Sequence, residues 1–121
     1  MSDAGQRQIL LLGTGSEDTS FTGVTTGTSA PINSKEYDEL AITFESVGTT
    51  SGGTLLIEEA SRPNYSGTWS QVASVSASAF TGGAQQVYHV SPSKYDYLRV
   101  RISSTITGGG SVLVFLSQRG T

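Results

Sequence analysis

The chain has 121 residues, 15 of them glycine and none cysteine, and carries a net charge of −3 with only 14% charged residues. This length suits one domain with its own core, and the lack of cysteine excludes disulfides, thiolate metal sites and cysteine nucleophiles. Low charge combined with abundant glycine, threonine, valine and isoleucine is typical of short strands joined by tight turns. The composition therefore favours a single all-β domain.

Acidic and basic residues are unevenly distributed between the two halves of the chain. Residues 1–60 carry nine acids and two bases, whereas residues 61–121 carry one acid and five bases. Two interpretations are open: the halves lie side by side and offset each other's charge, or copies of the chain meet acidic face to basic face. Nucleic acid is not expected as a partner, because five dispersed bases in an acidic protein form no patch that follows a phosphate backbone.

Residues 1–18 are predicted to form an extended N-terminal arm, and residues 19–121 the β-sandwich domain. The arm contains one apolar stretch, formed by Ile9, Leu10, Leu11 and Leu12. This stretch is too short for the apolar core of a signal peptide, and no basic segment precedes it. Nothing in the chain has the length of a membrane span. We therefore expect synthesis in a cytoplasm and no association with a membrane.

Strands are predicted along the rest of the chain by period-two alternation of apolar residues. Weak candidates lie at residues 20–26 and 29–33, and stronger ones at 68–77 and 85–90. Two strands have a strictly alternating apolar face, one formed by Leu40, Ile42 and Phe44, the other by Leu98, Val100 and Ile102. About eight short strands with turn signals between them predict an antiparallel β-sandwich or jelly roll, with the strand order left open.

Residues 94–115 repeat the pattern of residues 35–58. Both copies begin with a Tyr-Asp-x-Leu motif, at Tyr37 and at Tyr95, and both continue through a strand into a glycine-rich turn and a second strand. Because glycine permits the positive φ angles of tight turns, each copy is interpreted as a β-hairpin. The two hairpins would pack face to face about a pseudo-two-fold axis or occupy equivalent places in two sheets.

The residue types for catalysis, metal binding or a cofactor site are not found in a suitable arrangement. His89 is the only histidine, and its place in a predicted strand favours an ordinary strand residue. Glu58 and Glu59 are adjacent in a strand, so their carboxylates point to opposite faces and cannot act as a glycosidase pair. No acidic cluster has the ligand spacing of a calcium loop. The sequence therefore predicts no enzyme, no metal and no cofactor.

Three aromatic residues, Tyr65, Trp69 and Tyr88, could form a platform on which a sugar ring stacks. The alternative is that Trp69 packs in the core or covers one end of it, which is the commoner role of a single tryptophan in a small sandwich.

Two features predict contact with another subunit. Residues 112–116 are apolar on both strand faces, so the second face, with Leu113 and Phe115, must be covered by the chain's own N-terminal arm or by a second copy. Arg99 and Arg101 project from one face of a strand, and arginine favours carboxylates. We expect them to pair with acids of the first repeat, such as Glu45 or Glu58, within the chain or across a subunit boundary.

Four motifs in order along residues 35–118 carry a family resemblance: GGTLLIE, GTWSQV, VYHVS and KYDYLRVR. In this arrangement the chain resembles the small, jelly-roll-like β-sandwich virion proteins of tailed bacteriophages, and among them the head decoration or cement proteins. The resemblance implies a homotrimer seated where subunits of a major capsid protein meet, on the capsid surface of the virion, with the arm in contact with the shell. Similar sandwiches serve as carbohydrate-binding modules, so a carbohydrate- or receptor-binding module of a phage tail is the alternative.

Overall fold

Eight strands and one short 3-10 helix make up the regular structure of the computed structural model, which describes residues 6–15, 20–33, 39–90 and 97–119. The 3-10 helix, Ala77–Phe80, lies between the fifth and sixth strands. No helix in these ranges is long and apolar enough to cross a membrane. The strands are β1 Gln6–Leu12, β2 Ile32–Asn33, β3 Glu39–Val47, β4 Gly52–Ala60, β5 Ser70–Ser76, β6 Gln85–Val90, β7 Tyr97–Thr107 and β8 Ser111–Arg119.

The strands form two antiparallel four-stranded sheets, with the orders β1-β8-β3-β6 and β2-β7-β4-β5. The first strand thus pairs with the last, the second with the seventh, the third with the sixth and the fourth with the fifth. This is the connectivity of one long two-stranded ribbon rolled into a sandwich, which defines a jelly roll. The predicted all-β sandwich is confirmed, and the strand order selects the jelly roll.

The inner faces of the two sheets enclose one hydrophobic core. Phe44 on β3 and Phe80 in the 3-10 helix are completely buried, with ring centroids 5.9 Å apart. Every apolar residue of the two strictly alternating patterns is buried, so the predicted inward faces of β3 and β7 are confirmed. The core strands β3, β7 and β8 contribute Leu40, Ile42, Phe44, Leu98, Val100, Ile102, Val112, Val114 and Leu116.

The interpretation of the two repeats as β-hairpins is wrong. β3 and β4 lie in different sheets, as do β7 and β8, so each glycine-rich segment is an arch that carries the chain across the sandwich. The two copies pair with each other, β3 with β8 and β4 with β7. Their Tyr-Asp motifs lie outside the described residues. Glycine is needed in these arches because the two backbones approach each other closely, as well as for the turn itself. A glycine-rich sequence looks the same in both cases, and the hairpin interpretation considered only the turn.

The two arches are joined by backbone hydrogen bonds. Ser51 N–H donates to the carbonyl of Thr107, and Gly110 N–H donates to the carbonyl of Thr49, both at 2.8 Å. The first arch is also held to the first residue of the 3-10 helix, because the buried Thr50 donates its hydroxyl to the carbonyl of Ala77 at 2.8 Å. The hydrogen bonds between the two arches therefore fix one end of the sandwich.

Part of the predicted N-terminal arm belongs to the first sheet. Gln6–Leu12 forms the edge strand β1, paired with β8, and Leu12 is buried in the core. The following described segment, residues 20–33, closes one side of the sandwich by bonding to both sheets. Val24 exchanges two backbone hydrogen bonds of 2.9 Å with Val112 on β8, and Ser29 N–H donates to the carbonyl of Val100 on β7 at 2.8 Å.

Candidate functional site

The outer face of the second sheet carries an arrangement of two arginines and one carboxylate. Period-two alternation on β7 directs Arg99 and Arg101 outward, and Glu58 on β4 lies directly opposite Arg99. Arg99 Nε donates to Glu58 Oε1 at 2.9 Å, and Arg101 Nη2 donates to Glu58 Oε2 at 2.9 Å. The predicted pairing of both arginines with an acid of the first repeat is confirmed, within one chain. Glu45 instead accepts a 2.7 Å hydrogen bond from Gln85 Nε2.

Trp69 completes this arrangement, which we name the arginine cluster (Glu58, Trp69, Arg99 and Arg101). The guanidinium carbon of Arg99 lies 4.2 Å from the centroid of the Trp69 ring, a cation–π contact. Trp69 is only 4% exposed, and its Nε1–H donates to the carbonyl of Tyr65 at 3.0 Å. The tryptophan therefore packs against the outer face of the sheet, where it supports Arg99 and anchors the loop that precedes β5.

The cluster holds a buried carboxylate in its charged form. Burial by itself raises the pKa of Glu58, but the hydrogen bonds from Arg101 and Arg99 outweigh it, and the net pKa lies below the ordinary value. The side chain of Glu58 is 5% exposed, whereas those of Arg99 and Arg101 are 22% and 37% exposed. Two guanidinium groups share one carboxylate, so the cluster carries a net charge of +1.

The structure does not bring the three residues of the proposed sugar platform together. Tyr65 and Trp69 lie together in the loop between β4 and β5, but Tyr88 lies on β6 of the first sheet, opposite Ile42, and packs against the core. The alternation of β6 explains this placement, because Tyr88 shares its inward face with the buried Val90. The ring of Trp69 is covered by Arg99 and offers no open surface for stacking.

A cleft of about 180 Å³ lies beside Tyr65 instead. Its groups are hydroxyls, one carboxylate and one aromatic ring, which is a combination that suits hydrogen bonding to a polyol. The sequence pattern gives no direct indication of this cleft, because the cleft depends on how the loop between β4 and β5 returns to the sheet. The alternation that places Glu58 on one face and Glu59 on the other was the only available signal. The lining residues are Glu59, Ala60, Ser61, Tyr65, Thr68 and Ser70.

The apolar residues predicted to contact another subunit differ widely in exposure. Leu113 is 2% exposed, because the backbone of Gly13 lies directly over it: a Cβ added to Gly13 would be 2.5 Å from Leu113 Cδ2. Phe115 is partly buried, and its ring meets that of Phe21 edge to face with centroids 5.3 Å apart. The second face of β8 is thus covered by the chain itself, at Leu113 by Gly13 and at Phe115 by Phe21. Ile9 and Leu11, both partly buried, pack against the core.

One apolar row crosses the outer face of the first sheet. Leu10, Phe115, Thr43 and Val87 lie opposite one another on β1, β8, β3 and β6, and we name these four residues the outer row. Leu10, Phe115 and Thr43 are partly buried, and Val87 is 47% exposed. The outer row is therefore a partly exposed line of three apolar side chains and one threonine on this sheet.

Within the described ranges, no group of three or more histidine, aspartate or glutamate side chains could hold a metal ion. His89 is an exposed residue of β6 opposite Ala41, as expected for an ordinary strand residue. The acids at positions 36 and 38 lie outside the described residues.

No protein-family model matches the sequence, and no curated protein matches it. Several solved structures share the fold. The SPBc2 prophage-derived protein YomS aligns over 93% of this chain and 91% of its own, with a TM-score of 0.58 and 9% identity. The K1 cleaved adhesin domain of Lys-gingipain from Porphyromonas gingivalis W83 aligns over 94% and 73%, with a TM-score of 0.53 and 11% identity. The C-terminal CBM6 of LamC from Zobellia galactanivorans aligns over 93% and 91%, with a TM-score of 0.49 and 12% identity. At these identities the likeness establishes a shared β-sandwich fold.

Proposed function

We propose that this chain is a non-enzymatic virion structural protein: a capsid decoration or cement protein that binds the assembled head of a tailed phage as a homotrimer. The observation that carries the proposal is the jelly-roll fold, shared over 93% of the chain with a prophage-derived protein. A cement protein binds the assembled shell and not its separated subunits, so its binding free energy adds to the stability of the shell. A trimer multiplies weak individual contacts through multivalency. The partner is a major capsid protein, and the location is the capsid surface.

The outer row is the surface that we assign to the shell. Leu10, Phe115 and Val87 are apolar and at least partly exposed, whereas Leu12 and Leu113 are buried and act only by holding β1 and β8 in place. A deletion of residues 1–18 would remove β1 with Leu12, so a test of the arm must stop at residue 5.

The contact surface is tested with a matched pair of valines. Val87 lies in the outer row and is 47% exposed, while Val47 lies at the end of β3, outside the row, and is 41% exposed. We expect Val87→Asp to weaken binding to heads of the encoding phage by about tenfold or more, because the shell would bury an unpaired charge. Val47→Asp should bind as the unmodified protein does. Cosedimentation with empty heads measures both variants, and equal binding by the two would exclude the outer row.

Location and oligomeric state are tested on the unmodified protein. Light scattering of the purified protein is expected to give three times the mass of one chain across a wide concentration range. Immunogold microscopy of intact virions should place the label on the head. A label confined to the tail would contradict the decoration function.

The cleft beside Tyr65 favours the second candidate, a carbohydrate- or receptor-binding module of a phage tail. For this function we expect Tyr65→Ala and Ser70→Ala to lower binding on a glycan array at least about tenfold, since each removes a group that faces the ligand. Ser74→Ala is the matched control, because Ser74 lies on the same strand outside the cleft. No glycan bound by the unmodified protein, or no loss in the Tyr65 and Ser70 variants, counts against this function.

A further inference from the structure

We propose that the arginine cluster binds a carboxylate of a second copy of this chain, and that this contact closes the trimer. The proposal rests on the self-association in the proposed function and specifies the surface responsible for it. Three observations support it: the cluster has hydrogen-bond donors directed to no described residue, Glu58 and Trp69 hold Arg99 in place, and the first half of the chain is acidic.

Three guanidinium nitrogens of the cluster have no partner among the described residues. Arg99 uses only Nε toward Glu58, and Arg101 uses Nε and Nη2. No described residue thus occupies the Nη groups of Arg99 or Nη1 of Arg101, and we assign these donors to an acceptor on another copy. With 22% and 37% of the two side chains exposed, these donors are within reach of a partner.

The donors are held in place before any partner arrives. Arg99 is fixed on one side by Glu58 at 2.9 Å and on its face by the ring of Trp69 at 4.2 Å. A flexible arginine loses side-chain entropy when it binds, and a pre-positioned one loses much less. The pair of Nη groups on Arg99 matches the two oxygens of a carboxylate, which is the geometry of the strongest arginine contacts.

The charge at this surface is complementary to the acidic half of the chain. The cluster carries +1, and Arg62 adds a further positive charge nearby, 5.2 Å from the ring centroid of Tyr65, while Glu59 in the adjacent cleft partly offsets it. Residues 1–60 carry nine acids, and among those that the structure describes Glu58 pairs with the arginines of β7. A second copy therefore supplies both the carboxylates and the excess negative charge.

A contact between a basic surface on one copy and acids on another joins two different surfaces. Such heterologous contacts close into rings when the rotation between copies permits it, and otherwise extend into filaments. A closed ring of three copies is consistent with the trimer of the proposed function. Each copy then contributes one arginine cluster and one carboxylate from residues 1–60.

The test measures the association of the full-length protein by light scattering, in salt and with Arg99→Lys. Lysine keeps the charge but removes both Nη donors, so we expect the dissociation constant of the trimer to rise about tenfold. Raising NaCl from about 0.05 to 1 M should weaken association of the unmodified protein, because exposed ion pairs are screened. Arg62→Lys, outside the cluster, is the control and should associate normally. Circular dichroism verifies that the variants are folded.

Two outcomes overturn the inference: a monomer at every concentration, or a trimer that neither salt nor Arg99→Lys weakens. If Arg99→Lys leaves the trimer intact but abolishes binding to heads, the arginines face the shell, and the inference fails while the decoration function stands. If the trimer is sensitive to salt and to Arg99→Lys but virions carry no label, the inference stands and the decoration function fails.

Discussion

Glu58→Gln is expected to lower the free energy of unfolding by about 2 to 3 kcal/mol at neutral pH. The change leaves the guanidinium groups of Arg99 and Arg101 without their shared carboxylate, and Arg99 also lies over the buried ring of Trp69. Removing one partner of a buried ion pair typically costs about 3 to 5 kcal/mol, and the lower figure expected here reflects the contact that both arginines keep with water. Urea denaturation followed by tryptophan fluorescence measures the change, since Trp69 belongs to the cluster.

The same variant should reveal how the carboxylate contributes to stability at different pH. Because the pKa of Glu58 is lower in the folded protein than in the unfolded chain, ionised Glu58 stabilises the fold above its ordinary pKa of about 4.5. This stability is lost as the pH falls through the lowered pKa. The difference between the unmodified protein and Glu58→Gln should therefore be largest near pH 7 and shrink below about pH 4.

Glu45→Gln is the matched control for this prediction. Glu45 is also a strand glutamate, but its partner is the neutral amide of Gln85 at an exposed position. Its replacement should change stability by less than about 0.5 kcal/mol. Equal effects at the two glutamates, or a constant difference between Glu58→Gln and the unmodified protein down to acid pH, would mean that the cluster does not stabilise the fold through its charge.

The features that the sequence predicted correctly are those with a local physical cause. A strand buried on one face must alternate, so Leu98, Val100 and Ile102 identified the inward face of β7 and therefore the outward direction of Arg99 and Arg101. Glu58, one of the acids of the first repeat, was then a candidate partner. The preference of arginine for carboxylates was enough to predict the pairing, because β4 and β7 are neighbours in one sheet.

Period-two alternation did not predict contacts between segments that are distant in the sequence. Tyr88 and Trp69 both looked available for a sugar, but Tyr88 lies on β6 of the first sheet, whereas Trp69 precedes β5 of the second and is covered by Arg99. The pattern left open whether the N-terminal arm or a second copy covers Leu113, and the structure shows Gly13 of the same chain over it. In each case the deciding contact joins segments far apart in sequence, and alternation reports only on the face of a single strand.

The contact between the two arches can be tested by substitution, with a large expected effect on stability. Two neighbouring glycines, Gly109 and Gly110, differ in how closely the other arch approaches them. A Cβ added to Gly110 would lie 2.5 Å from the carbonyl oxygen of Thr49 and 2.6 Å from that of Val47. Both are backbone atoms of the other arch, and they cannot rotate away. Gly110→Ala must therefore separate the two arches and break the hydrogen bond from Gly110 N–H to Thr49, at an expected cost of at least about 3 kcal/mol.

Gly109→Ala is the control, since Gly109 has a φ of +92° but no atom within 4 Å of the added Cβ. An alanine there meets only the backbone strain of a left-handed conformation, about 1 to 2 kcal/mol. Chemical denaturation of both variants gives the comparison. Two hairpins lying apart from each other would make Gly109 the more sensitive position, because only its conformation would then require glycine. Arches in contact make Gly110 the more sensitive position, because the other arch leaves no room for a Cβ there. Which of the two variants is less stable therefore distinguishes the jelly roll from the hairpin interpretation that the repeated sequence suggests.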